Sequence, residues 1–136
     1  KQNQKKQKLS HNVHPADITD CGDFYFKWEW VQDCCPPNNT SWKEVVDGNE
    51  IKNQNLVIRS WVPGDTFIPL GMNGHKKISD FLIDEKIDRF YKDNQFVLTA
   101  NDEIIWVCGH RISNQVKVTS KTTDLAEISI IRKNTQ

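Results

Sequence analysis

The sequence predicts a β-rich α+β domain: layered, mainly antiparallel β-sheet with one short helical insertion around residues 77–93. Three observations carry this. Short β-branched or aromatic runs recur along the chain, separated by turn residues. The clearest helical period lies at residues 77–87, where Ile78 and Leu82 are four apart, as are Ile83 and Ile87, and Phe81 joins the first pair's side. The 136 residues suffice for one domain rather than two, and they contain no internal repeat.

The first eight residues, K-Q-N-Q-K-K-Q-K, cannot bury a face. Residues 1–16 are therefore expected to be a linker or frayed end, and residues 17–136 a single domain. Residues 24–31, F-Y-F-K-W-E-W-V, read as a strand with Phe26, Trp28 and Trp30 on one face and Tyr25, Lys27 and Glu29 on the other. An aromatic row of this kind either forms core or offers stacking surfaces for RNA bases, and core is the commoner use. Cys35 to Asn39 is a loop, and residues 42–46 and 56–60 are short strands. After the helix, residues 88–94 add a further helical turn with Phe90 and Tyr91 inward. Strands are expected at 96–99, 104–108, 116–119 and 125–131. Asn101-Asp102 suits a hairpin turn. Ile104 to Val107 is apolar on both faces, as a central strand would be.

Formal net charge is zero, from 18 basic and 18 acidic residues, whereas a generic nucleic-acid binder is often basic overall. RNA binding, if present, has to come from a local patch. No apolar run approaches a transmembrane length. The four cysteines show no C-x-x-C spacing and no paired histidine motif, so free thiols in a cytoplasmic protein are expected rather than zinc. A chain that opens on Lys1 is expected to be part of a longer product.

The segment from Arg59 to Lys77, R-S-W-V-P-G-D-T-F-I-P-L-G-M-N-G-H-K-K, concentrates backbone-special and charged residues. Pro63-Gly64-Asp65 reads as a tight turn, Pro69 holds Ile68 extended, and Gly71 and Gly74 would let the backbone approach another group. Lys76 and Lys77 fall just before the helical pattern, where lysines oppose the macrodipole. An anion meeting free amides and two ammonium groups would resolve that conflict. Two solvated lysines on a turn remain the alternative.

This segment resembles the C-terminal domain of bacterial tRNA(Ile)-lysidine synthetase. The resemblance continues through I-S-D-F-L-I-D-E-K-I at residues 78–87, I-I-W-V-C-G-H-R-I-S at 104–113 and K-V-T-S-K-T at 117–122. It covers about half of the chain, and the joint spacing of G-D-x-F-x-P-x-G, K-K and W-V-x-G-x-R is what makes it specific. It implies a layered β fold of the type shared with a domain of the phenylalanyl-tRNA synthetase β subunit. It also implies that residues 17–136 bind substrate tRNA(Ile), near the acceptor stem, for a separate N-terminal catalytic domain. That domain would use ATP, with magnesium, to join lysine to the anticodon cytidine.

No residue of this chain is expected to do chemistry. The pyrophosphate loop S-G-G-x-D-S is absent, and G-M-N-G-H-K-K lacks the spacing and the Ser/Thr metal ligand of a P-loop. His11, His14, His75 and His110 are not spaced as a metal cluster. No cofactor is expected in this domain. Candidate phosphate contacts are Lys76, Lys77, Arg59, Arg111, Lys86 and Lys117. Arg111 is equally a structural arginine paired with Asp65 or another carboxylate, whereas Lys86, beside Asp84 and Glu85, reads first as a solvated helix face. The competing reading is a structural domain, packing on its own catalytic domain or forming a homodimer without touching RNA. A third, an independent enzyme, would need a deep pocket joining His110, Asp65 and a cysteine.

Overall fold

A computed structural model describes residues 10–32, 42–87 and 94–133. In chain order the strands are β1 (Ser10–Asn12), β2 (Ile18–Asp20), β3 (Phe24–Val31), β4 (Lys43–Asp47), β5 (Leu56–Ser60), β6 (Thr66–Phe67) and β7 (Lys76–Lys77). The helix α1 (Ile78–Asp84) follows, then β8 (Phe96–Ala100), β9 (Glu103–Val107), β10 (Arg111–Ile112) and β11 (Leu125–Arg132). They form a five-stranded sheet β1-β5-β8-β9-β10, a four-stranded sheet β2-β3-β11-β4 and the ribbon β6-β7. Every pairing is antiparallel.

Strand periodicity explains the layers. Alternate residues of β3 and β11 put Phe26, Trp28, Ala126 and Ile128 on the face that meets Ile58, Leu98 and Trp106 of the larger sheet. The other face of that sheet carries Val97, Ile104 and Val107, covered by Phe67 of the ribbon and by Ile78, Phe81 and Leu82 of α1. The five-stranded sheet is thus buried on both sides, and all five residues of β8 are buried. This matches the apolar character of both faces of β9. Asn101 and Asp102, at φ 46° and 72°, close the β8–β9 hairpin as a two-residue turn of positive φ. The Asn101 carboxamide oxygen also accepts the Asn55 amide at 2.7 Å.

Several expectations need correction. The fold begins before residue 17: β1 pairs with β5, and Val13 is buried and donates to the Leu56 carbonyl at 3.0 Å. Ser-His-Asn carries no apolar alternation, so nothing local marks it as a strand; residues 1–9 lie outside the described residues. Trp30 shares the inward face with Trp28, yet it sits at the strand end and is 43% exposed. The expected strand at 116–119 is instead a 3-10 turn, Asn114–Val116, followed by irregular chain. Ser113 Oγ accepts the Gln115 amide at 3.1 Å, and this local bond outcompetes a ladder.

The helix is shorter than its pattern. Lys76 and Lys77 belong to the ribbon, paired with Phe67 and Thr66. At the far end Lys86 takes φ 59°, its amide donates to the Ile83 carbonyl, and the Ile87 amide donates to that of Leu82. That is a Schellman stop, built here on lysine rather than glycine. The expected further helical turn at 88–94 falls almost wholly outside the described residues.

Candidate nucleic-acid interface

The turn at Pro63-Gly64 builds one edge of the α1 layer. Gly64 adopts φ 100° and the Asp65 amide donates to the Val62 carbonyl at 3.1 Å. The Asp65 carboxylate folds back. Its Oδ2 accepts from the Val62 amide at 2.8 Å and from Arg59 Nη1 at 2.9 Å, and its Oδ1 accepts from Arg59 Nη2 at 3.1 Å. Arg59 also donates to the Ser60 carbonyl. The two side chains are 26% and 12% exposed, so this bidentate pair acts as a clip for the turn. Asp65 is therefore the turn-former that its sequence position suggested, and its partner is Arg59 rather than Arg111.

Arg111, at the start of β10, reaches α1 instead. It donates to Glu85 at 3.3 Å and lies over the Phe81 ring, 5.3 Å from the centroid. Lys76 pairs with Asp84 on the same helix. Lys77 is exposed, occupies the N-cap position and receives no side-chain cap. Lys86 is exposed at the Schellman stop. Among the described residues, neither Lys77 nor Lys86 makes an ion pair. Four of the six candidate cations, Lys76, Lys77, Lys86 and Arg111, thus adjoin α1, while Arg59 is held at the Asp65 turn. Lys117 is exposed after the turn at 114–116, which packs on β9 and on the 3-10 turn Gly48–Glu50. No contact among the described residues ties it to α1.

The backbone half of the expected anion site is not formed as the sequence suggested. A Cβ on Gly74 would meet nothing within 4 Å, so no close approach explains that glycine, whereas Gly71 needs its φ of 88°. The Ile78 amide, first in α1, is already taken by the Asp65 carbonyl at 2.9 Å. The polar cavity alongside, about 270 Å³, is lined by Arg59 and His75 but also by Asp65, Asp102 and Glu103, which repel an anion. What α1 offers is side-chain charge: Lys77 and Lys86 free, Lys76 and Arg111 tied to carboxylates. Sequence reasoning passed over Asp84 and Glu85 as the partners; their spacing on one helix end was the available signal.

Among the described residues, the groups that a nucleophilic site would need are not brought together. His110 and Cys108 line one cavity, and Asp65 lines another. Burial pushes the Cys108 thiol well above its ordinary range and Cys21 to about 11, so both are inert core thiols. Burial lowers the His110 pKa, with the Glu85 charge opposing, which keeps its imidazole neutral at pH 7. Among the described residues no group of His, Cys, Asp or Glu could hold a metal ion, and no helix is long and apolar enough to cross a membrane.

Fold and site together define a layered antiparallel β domain that carries lysines and an arginine around one short helix. The model for the TilS substrate C-terminal domain matches residues 56–129. The chain is 43% identical over 70 residues to a tRNA(Ile)-lysidine synthase of Bacteroides thetaiotaomicron, covering 52% of this chain and 16% of that one. It is 38% identical over 91 residues to that of Caldanaerobacter subterraneus, covering 67% of this chain and 19% of that one. The matched stretch is thus less than a fifth of these relatives' length. A crystal structure of a TilS C-terminal domain superposes with a TM-score of 0.80 at 18% identity, over 95% of this chain and 100% of that one, a likeness of fold. The chain belongs to the family of tRNA(Ile)-lysidine synthase C-terminal domains.

Proposed function

We propose that this domain holds tRNA(Ile), near the acceptor stem, through phosphate contacts made from the α1 edge. Bond formation between lysine and the anticodon cytidine is left to a catalytic domain elsewhere in the protein. The supporting observation is the placement of Lys76, Lys77, Lys86 and Arg111 around one short helix on a chain of zero formal net charge. Phosphate recognition of A-form RNA needs charge at the right spacing and no base reading. ATP and magnesium belong, in this reading, to the catalytic domain, and the full protein works in the cytoplasm.

Arg59 contributes differently. Its guanidinium is committed to Asp65, so it shapes the turn that carries the ribbon. Lys117 serves as a peripheral contact at most, since it stands off the helix edge.

The test is titration of an isoleucine tRNA transcript at several salt concentrations, comparing wild type with Lys76→Ala/Lys77→Ala. Binding that weakens with salt, and a double mutant that loses roughly two units of log–log slope, support the reading. Absence of binding at low salt would instead favour a packing or dimerisation domain. The outer face of the four-stranded sheet, with Ile18, Tyr25 and Ile131 exposed, is where such a contact would form.

A further inference from the structure

Six of the described cations are neutralised by carboxylates: Lys27, Lys52, Arg59, Lys76, Arg111 and Lys133 each have an acidic partner. Lys86 and Arg132 have none among the described residues, and both line one cavity of about 320 Å³. The volume is within the range that admits a small ligand. The cavity lies where the Schellman stop of α1 faces the end of β11. Its apolar wall is aromatic. Phe24 and Phe96 meet edge to face at 5.2 Å, and the Arg132 guanidinium lies over the Trp42 ring at 5.5 Å.

The polar floor is more telling. Gln95 is 7% exposed and lines this cavity. Its Nε2 donates to two carbonyls, Phe96 and Cys108, both at 2.8 Å. Carbonyls only accept, so this bonding fixes which end of the carboxamide is nitrogen. Oε1 is left as an acceptor that no described residue satisfies. A ligand N–H would supply that acceptor with a donor. Beside it His110, kept neutral by burial, presents one donor and one acceptor. Asp23 is the acidic group on the lining, set against the two cations.

We infer that this cavity binds one unpaired nucleotide bearing adenine or cytosine. The phosphate meets Lys86 and Arg132, the base lies against the aromatic wall, and the base edge meets Gln95 and His110. Adenine and cytosine both present an amino group next to a ring-nitrogen acceptor, the complement of a free carboxamide oxygen and an imidazole N–H. Guanine and uracil present a carbonyl where that amino group would be. The nucleotide can come free in solution or as the unpaired end of an RNA strand. The inference does not depend on the phosphate contacts proposed for the α1 edge.

Calorimetric titration of the 136-residue chain with AMP, CMP, GMP and UMP tests it. AMP and CMP are expected to bind more tightly than GMP and UMP. Lys86→Ala/Arg132→Ala should weaken AMP by about tenfold. Gln95→Met should abolish the base preference; if that variant does not fold, the wild-type preference carries the test. A blunt RNA hairpin and the same hairpin with one unpaired 3′ adenosine separate the sources. Tighter binding of the overhang places the nucleotide on RNA, and equal binding together with an AMP response places it free in solution. Hairpin binding with no response to any mononucleotide and no gain from the overhang would overturn the cavity inference and leave the tRNA reading standing. A nucleotide response without hairpin binding would do the reverse.

Discussion

The α1 edge and the cavity at Gln95 treat positive charge in opposite ways. At α1, Lys76 and Arg111 are held by Asp84 and Glu85, and a phosphate has to displace a carboxylate to reach them. At the cavity, Lys86 and Arg132 have no carboxylate partner among the described residues, Arg132 lies over the Trp42 ring, and the Gln95 carboxamide lines the same cavity. The first arrangement lowers affinity for stray anions and suits a broad surface that many weak contacts cover. The second is concave and preformed. Lys86 borders both, because the αL stop turns the chain from one toward the other.

The largest expected effect breaks the α1 side alone. Phe81 is 1% exposed, packs edge to face on Phe67 at 5.2 Å and supports Arg111. Phe81→Ala should cost about 3–5 kcal/mol, read as a lower midpoint in urea. A loss below about 1 kcal/mol would mean that the helix layer is only loosely attached. Next comes the clip. Asp65→Ala leaves the Arg59 guanidinium and the Val62 amide without their acceptor and should cost about 2 kcal/mol by the same measurement.

Smaller effects sharpen the contrast. Asp84→Asn/Glu85→Gln should leave stability within about 1 kcal/mol, since both pairs are partly exposed, while tightening tRNA binding severalfold. Weaker binding would show that these carboxylates position the cations rather than compete for them. The smallest effect concerns pH. The folded pKa of His110 lies below its unfolded value, so the unfolded chain binds the extra proton first. Stability should therefore fall as pH drops through about 6.5 and level off below the folded pKa. In His110→Gln that part of the slope in a thermal melt should disappear; an unchanged slope would assign it to another group.

Local signals were the legible ones. The bounds of β3 and β5, the Asn101-Asp102 turn and the doubly buried β9 follow from alternation, turn chemistry and apolar content within a few residues. The two- and three-residue strands β1, β2, β6, β7 and β10 carry too few side chains to show a period, and only their partners define them. Lys77 illustrates the cost. Read as the start of a helix it promised an amide cradle, whereas ribbon pairing and the Asp65 carbonyl claim that backbone. The cations around α1 could be named from the sequence, but not which carboxylate each would meet. The Gln95 cavity was not legible at all, because it gathers residues as distant as Phe24 and Arg132 and depends on how one carboxamide is turned.

The central claim is that tRNA lies on the α1 edge, and amide hydrogen exchange with and without an isoleucine tRNA transcript tests it most directly. Added protection at residues 76–87 and at Arg111, with the outer face of β2, β3, β11 and β4 unchanged, is the expected result. Protection confined to that outer sheet face, with α1 exchanging as in the free chain, would contradict it.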